Sequence, residues 1–518
     1  MLTLVNTNLM RPAIAPVGLD YVAAAARAAG IETHIIDLCL EGAKEDRRQA
    51  DDASWQRPLQ DHFGQRRPAL VGVSFRNTDD SFWPSMQSFL PVLREVISSL
   101  RALTDAPVVL GGTGYSIFPR RVMEYTGADF GIVGDGEQAI VALTRELEGQ
   151  GDFEKVPGLV WRVRDRRSQR SNLPAWPRIG SSDLPCFRDT RADSAAGMPA
   201  IPTSRDAVDN VAYLRLGGQV GLETKRGCNR RCIFCADPIA KGHALRLRSP
   251  GEVAEEVDAL LRQHVDMLHL CDAEFNVPYE HALAVCQELT SRRLGERLRW
   301  YTYMAAVPFD AALARAMRSA GCIGINFTGP SASEAMLAAY RQAHRQSDLA
   351  AAARHCRDGG ITSMLDLMLG GPGETPQTLR DGIEFAKAAG FDCVGAGLGV
   401  RLYPGLPMTD LVAAEAPLET NPGVRRRYEG PVDLLWPTFY ISPALGEQPA
   451  ALVREAIAGD QRFFEPADED QTIGSCASSA AQRGYNYSDN DLLVRAVAAG
   501  ARGAYWDILR RLRTEGLD

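Results

Sequence analysis

The sequence predicts an α/β chain in three parts: a doubly wound, Rossmann-like N-terminal domain, a partial (β/α)6 barrel, and a helix-rich C-terminal region. Three observations predict it. Short apolar, β-branched runs alternate with amphipathic helical patterns over the first 165 residues. The alternation stops in an Arg-, Ser-, Pro- and Asp-rich stretch at 166–215, and it resumes near Gly221 for about six further repeats. Continuous apolar strands separated by helices are buried on both faces, which is the signature of parallel sheet. The expected boundaries are therefore 1–165, a linker or strap at 166–215, 216–410 for the barrel, and 411–518.

In the first part, LTLVNTN (2–8) reads as a strand, residues 16–30 as a helix ending at Gly30, and THIIDLCL (33–40) as a second strand. ALVGVSFRN (69–77) and APVVLGG (106–112) are strands flanking a helix over 88–103. ADFGIVGDGE (128–137) is a strand that stops at a glycine turn before a helix around 138–148. Folds of this type bind ligands beyond the carboxyl ends of their strands, so the turns Asn6–Arg11, Ser74–Thr78, Gly111–Tyr115 and Gly134–Glu137 are the candidate contacts. The barrel strands are expected at 220–226, 267–276, 299–305, 324–329, 363–371 and 393–404. Residues 411–518 are less regular and close on the amphipathic segment RGAYWDILRRL, a docking element.

Composition excludes several classes. The 518 residues are 45% hydrophobic and 24% charged, ordinary for a soluble globular enzyme, and too many for one core. No run approaches the roughly 18 apolar residues of a membrane helix, and MLTLVNTNLMRP lacks the form of a secretory signal. A cytoplasmic enzyme with no membrane partner is expected. A net charge of -8 argues against a nucleic-acid surface. Eleven cysteines without a signal sequence read as reduced thiols or metal ligands.

The sharpest motif is RGCNRRCIFCADP, where Cys228, Cys232 and Cys235 have C-x-x-x-C-x-x-C spacing directly after the first barrel strand. Three thiolates on one loop can grip three irons of a cubane cluster and leave the fourth open. A zinc knuckle needs a fourth ligand, for which His243 is the nearest candidate. Inert buried thiols are the other alternative, but an Arg- and Asn-rich loop is poor core material. Cys39, Cys271, Cys286, Cys322, Cys356 and Cys393 lie on strand or helix patterns and are expected in the core, while Cys476 sits in a polar loop. Trp300, Tyr301 and Tyr303 share a barrel strand, so alternate residues point into the barrel. RRRY (425–428) and the arginines of 162–170 read as solvated faces.

With these motifs in order, residues 220–410 resemble the radical S-adenosylmethionine (SAM) superfamily. Phe234 falls in the family's aromatic position before the third cysteine. The resemblance implies that Asp272, Glu274 and Asn276 contact the SAM amino group. It further implies that Gly370, Gly371 and Pro372 in LMLGGPGET lie against SAM, and that Arg401 and Tyr403 in VRLYPGLP lie near its adenine. One departure is FTGPS, where Pro330 stands in place of a glutamate that often touches SAM.

The N-terminal turns resemble the cobalamin-binding domain that precedes this barrel in one subgroup. The resemblance assigns cofactor contacts to Ser74, Arg76 and Asn77, to Gly111, Gly112, Thr113 and Gly114, and to Gly134, Gly136 and Glu137. A flavodoxin-like domain with another cofactor or none is the alternative. The D-x-H-x-x-G element that supplies a histidine to cobalt is missing, and no histidine precedes His34 or falls between His34 and His62. Arg76 is then the candidate for the lower corrin face. A guanidinium is a poor ligand, so it would disfavour the higher-coordinate alkylated cobalt and labilise a methyl group. A simple ion pair of Arg76 with Asp79 is the bland alternative.

The resemblance implies a four-iron four-sulfur cluster, SAM and cobalamin as cofactors, with methylcobalamin as methyl donor, and an external electron donor such as flavodoxin or ferredoxin. The implied reaction is methyl transfer from SAM through cobalamin to an unactivated carbon of a small-molecule or peptide substrate, with Cys228, Cys232, Cys235 and Arg76 as catalytic residues. Ordinarily a deoxyadenosyl radical removes hydrogen first. In one variant, methylation of tryptophan at carbon 2 in thiopeptide biosynthesis, it does not. A non-methylating ring contraction, cyclisation or oxidation, or a cobalamin-binding sensor, are the other readings; tRNA modification would call for an appended basic domain.

Overall fold

The computed structural model describes residues 1–44, 55–149, 151–163, 186–189, 201–467 and 486–515. Two seven-stranded sheets dominate it. The first is built from β1 (Leu2–Asn6), β2 (Thr33–Asp37), β3 (Leu70–Ser74), β4 (Val108–Gly111), β5 (Phe130–Ile132), β6 (Leu159–Val163) and β7 (Cys186–Asp189). Its order is β2-β1-β3-β4-β5-β6-β7. The first five strands are parallel, and their buried apolar runs explain why helices cover both faces.

Two expectations change here. THIIDLCL is a strand only through Asp37, because Leu38–Lys44 turns helical, with the Asp37 carboxylate accepting from the amides of Cys39 and Leu40. The stretch expected as a linker is not purely one: it supplies β7, which pairs antiparallel with β6, and a helix, Asn210–Gly217, capped by the Asp209 side chain.

The second sheet contains β8 (Val220–Leu222), β11 (Met267–Leu270), β12 (Arg299–Met304), β13 (Cys322–Thr328), β14 (Thr362–Leu369), β15 (Cys393–Leu398) and β19 (Phe463–Phe464), in the order β19-β15-β14-β13-β12-β11-β8. Six parallel strands match the expected repeats, and the two-residue β19 from the C-terminal region adds a seventh. Among the described residues, two small sheets accompany these: β9 (Lys225–Arg226) with β10 (Arg246–Leu247), and β16 (Val400–Arg401), β17 (Val424–Arg426) and β18 (Thr438–Tyr440). The run expected as one strand over 393–404 breaks at Gly399, whose φ of 89° ends β15.

On β12, Trp300, Thr302 and Met304 are buried against the outer helices, and Tyr301 and Tyr303 point the other way. The C-terminal helix Tyr505–Glu515 fills that inner side: Trp506, Ile508 and Leu509 pack on Tyr301, Met364, Cys393 and Phe464, and Tyr301 donates to Asp507 at 2.8 Å. The closing segment is thus a plug in the open barrel. Among the described residues no helix is long and apolar enough to cross a membrane.

The domains are joined by a buried ion network. Arg205, 1% exposed, donates to Asp20 of the helix Val17–Ala28 and to Glu256 of the helix Pro250–Arg262, each at 2.6 Å. Arg248 and the Tyr21 hydroxyl complete the Glu256 carboxylate.

Candidate functional site

A cavity of about 580 Å³ opens where the carboxyl ends of the two sheets meet. Asn6, Ser74, Arg76 and Gly112 line it from the N-terminal domain; Glu223, His269, Glu274, Tyr303 and Thr328 line it from the barrel. The C-terminal region closes it with Tyr487, Tyr505 and Trp506. Strand order dictates this, since side chains at the carboxyl ends of parallel strands face one rim.

Cys228, Cys232 and Cys235 all line this cavity. Their loop is held by the Cys228 amide donating to Gly242 (3.0 Å) and by Gly227, where a Cβ would collide with the Ala244 carbonyl. Phe234 packs edge-on to Tyr340 at 5.9 Å between ring centres, and Tyr340 abuts Gly371, so the glycine-rich fifth-strand turn supports the cysteine loop. Burial raises all three thiols, so thiolate there needs a cationic partner such as iron. Among the described residues, no three His, Cys, Asp or Glu side chains gather tightly enough for one metal ion, and His243 is exposed. A cubane spreads its thiolates over three irons, so it fits this loop better than a zinc ion does.

Of the three acidic or amide residues after β11, only Glu274 faces the cavity with an open atom. Its Oε2 is buried without a partner, its φ is 60°, and burial pushes its carboxyl up to about 7. Asp272 lines the wall, yet accepts from the backbone of Thr224 (2.8 Å) and Lys225 (3.3 Å) and from the Thr224 hydroxyl. Asn276 is fully buried, donating to Ala305 (2.9 Å) and Pro308 (2.7 Å); it shapes the β12 exit instead of reaching the cavity. Arg401 and Tyr403 line neither this cavity nor the groove described below. Arg401 pairs with Asp79 (3.0 Å) and stacks on Tyr403, whose hydroxyl meets Ser81, so both tie the barrel to the N-terminal domain. Gly370 and Pro372 also lie off the cavity lining, and Pro330 is buried with its carbonyl accepting from Met368.

Because Asp79 is taken by Arg401, Arg76 does not form the bland ion pair. Its side chain instead donates to Asn77 Oδ1 at 2.8 Å, and it lines the cavity. Across it stand His269 and Tyr303, with ring centres 4.9 Å apart. Burial, with a smaller push from the Arg76 charge, lowers His269 to about 4, so the imidazole is neutral; burial raises Tyr303 to about 12.

A second groove of about 170 Å³ lies beyond β3, β4 and β5, lined by Ser74, Gly111, Gly112, Thr113, Gly134, Gly136 and Glu137. Gly112 has a φ of 102°, and a Cβ there would sit 2.5 Å from the Phe75 carbonyl. No atom lies within 4 Å of a Cβ built on Gly111, so the groove is open to a bulky ligand. Gly114, by contrast, is needed for close packing on Asn77.

Sequence reasoning missed three groups. In the aromatic wall, Tyr505 and Trp506 fall in the segment expected only as a docking element, and Tyr487 carries no expectation. Cys271, expected in the core, lines the cavity, whereas Cys39, Cys286, Cys322, Cys356 and Cys393 are buried. Arg226, two residues before Cys228, bridges to Glu137 across the domains; in the polar run ETKR nothing local sets it apart. Cys476 lies outside the described residues.

Comparison with known proteins agrees with this geometry. Residues 222–386 match the radical SAM superfamily model, and residues 10–144 match the B12 binding domain. The chain is 28% identical to tryptophan 2-C-methyltransferase of Streptomyces laurentii, over 97% of this chain and 94% of that protein. A solved structure of the radical SAM methyltransferase TsrM from Kitasatospora setae, with tryptophan and a SAM analogue, superposes with a TM-score of 0.82 at 29% identity, covering 100% of this chain and 98% of that one. Another TsrM structure, with cobalamin and a [4Fe-4S] cluster, gives 0.80 at 28%, covering 99% and 97%. With both domains present in order and the likeness spanning nearly the whole chain, the protein belongs to the cobalamin-dependent radical SAM enzymes and is a methyltransferase of that class.

Proposed function

We propose that the substrate is tryptophan or a closely related indole amino acid, methylated on a ring carbon. One observation carries this reading: buried polar atoms without partners concentrate in the cavity. Asn8 Nδ2, Gln219 Oε1, Arg230 Nε, Glu274 Oε2 and Trp506 Nε1 all belong to residues that line it. An unpaired buried polar atom costs about 1–3 kcal/mol, so such a wall suits ligands that supply the missing bonds. Gln219 offers an acceptor for an ammonium group, and Trp506 offers a donor for a carboxylate. The rings of Tyr487, Tyr505 and Trp506 suit a flat aromatic body.

Cys228, Cys232 and Cys235 would hold the cluster, and Glu274 would meet its open side or a ligand there. Cobalamin, when bound, supplies a cobalt that takes a methyl group from SAM and gives it to the substrate carbon. Gly111 leaves room for its tail, Gly112 lets the turn approach the Phe75 carbonyl, and Arg76 would stand at its lower face without coordinating. The C-terminal plug excludes water, which strengthens each of these electrostatic contacts. An indole ring carbon is electron-rich, so the reading includes transfer without a deoxyadenosyl radical. The cluster would exchange electrons with an external donor such as flavodoxin or ferredoxin.

The test uses anaerobic protein with cobalamin, methyl-labelled SAM, reductant and a panel of amino acids. The reading predicts labelled methyltryptophan with little deoxyadenosine, and none from Cys228→Ala. Label on another substrate and not on tryptophan would overturn the substrate assignment; deoxyadenosine in step with product would overturn the non-radical route.

A further inference from the structure

The groove beyond β3 to β5 has walls from both domains. Gly134, Asp135, Gly136 and Glu137 form one side, and Glu223, Arg226 and Lys241 form the other. Arg226, 8% exposed, sits on β9 two residues before the first cysteine of the loop. Its guanidinium grips Glu137 with both terminal nitrogens, at 3.0 and 2.7 Å. It also meets Asp135 at 3.2 Å and Glu223 at 2.8 Å. Arg246, its cross-strand neighbour on β10, binds the other Asp135 oxygen. The same hairpin holds the cysteine loop through the Gly242 carbonyl and the Cys228 amide. The turn that touches a groove ligand is therefore wired, through one planar and bidentate side chain, to the backbone that aims three thiols.

We propose that Arg226 is a positioning residue that couples the groove to the cysteine loop, so that cobalamin binding and cluster assembly favour one another. This rests on the cofactor reading above. A ligand in the groove fixes the 134–137 turn; the turn fixes Arg226; Arg226 fixes the strand that enters the cysteine loop. Coupling of this kind is reciprocal, so a cluster that raises cobalamin affinity is itself stabilised by cobalamin by the same factor. A bidentate arginine–carboxylate pair suits the role because its geometry is fixed in a plane.

The test measures cobalamin affinity by equilibrium dialysis on the full chain, with the cluster reconstituted or left out, and compares the two dissociation constants. The wild type should bind cobalamin about tenfold more tightly with the cluster present, within the roughly 5–150-fold range usual for coupled sites. Glu137→Gln, which keeps shape and loses charge, should bring the ratio close to one. Arg226→Lys, which keeps charge and loses the fork, should do the same. The electron paramagnetic resonance spectrum of the reduced cluster should change with cobalamin in the wild type and not in the variants. A ratio of one in the wild type, or an unchanged ratio in both variants, overturns the coupling even if both cofactors bind. A merely structural clasp would weaken both affinities equally and leave the ratio intact. A chain that takes up no cobalamin or no iron overturns the cofactor reading, and this inference with it.

Discussion

Replacing Arg205 by methionine removes the centre of the interdomain ion network while keeping an apolar stem of similar length. The side chain is 1% exposed and serves Asp20 and Glu256 at 2.6 Å each, the Gly221 carbonyl at 3.0 Å and Asn210 at 3.3 Å. Glu256 keeps Arg248 and the Tyr21 hydroxyl. Asp20 keeps only neutral donors, the Ala207 amide and the Asn210 side chain. One carboxylate is therefore left buried without a countercharge, a loss that costs about 3–5 kcal/mol in comparable sites. Equilibrium urea unfolding gives the change as the midpoint shift multiplied by the slope. Adding Asp20→Asn removes the stranded charge and should restore at least about 1 kcal/mol, a positive coupling between two residues in contact. A loss below about 1 kcal/mol for Arg205→Met, or no recovery in the double variant, would refute the view that this network clasps the domains.

Three further outcomes follow from the same structure. Burial raises Asp80 from 3.8 to about 6, so the native state binds its proton more tightly than the unfolded chain does. That contribution to stability is present below 3.8 and is lost as pH rises through about 6; Asp80→Asn should flatten the melting temperature over this window, and an unchanged slope would count against it. Gly111→Leu puts a side chain into the open groove, where no atom lies within 4 Å of its Cβ, so it should leave the fold intact and abolish cobalamin uptake, read by dialysis; normal uptake would show that the groove is not the tail site. Arg76→His puts a competent ligand where the guanidinium stands. It should alter the visible spectrum of bound cobalamin and slow methyl transfer about tenfold if the new bond favours the loaded ground state by about 1.4 kcal/mol; an unchanged spectrum would place Arg76 away from cobalt.

The sequence made local features legible and left long-range ones hidden. The cysteine loop and the Gly111–Gly112 turn announce themselves because their chemistry is packed into a few adjacent residues. Strand positions were readable wherever the apolar run was buried on both faces, as in β3 and β14. The two-residue β19 was not, because Phe463 and Phe464 carry no periodicity. Asn276 looked like a contact by its place after β11, but a linear pattern cannot show that its amide is consumed by carbonyls 29 and 32 residues away. The Arg226–Glu137 bridge spans 89 residues and the Tyr301–Asp507 bond 206, so each exists only once two domains or a barrel and its plug have docked. The aromatic wall at Tyr487, Tyr505 and Trp506 stayed hidden for the same reason.

The reaction proposed for this cavity passes a methyl group from SAM to cobalt and then to the substrate carbon. A single-turnover experiment tests it most directly: enzyme preloaded with trideuteromethyl cobalamin, then given unlabelled SAM and tryptophan. The first equivalent of product should carry three deuteriums and later equivalents none. A first equivalent bearing the unlabelled methyl, with deuterium left on cobalt, would contradict it.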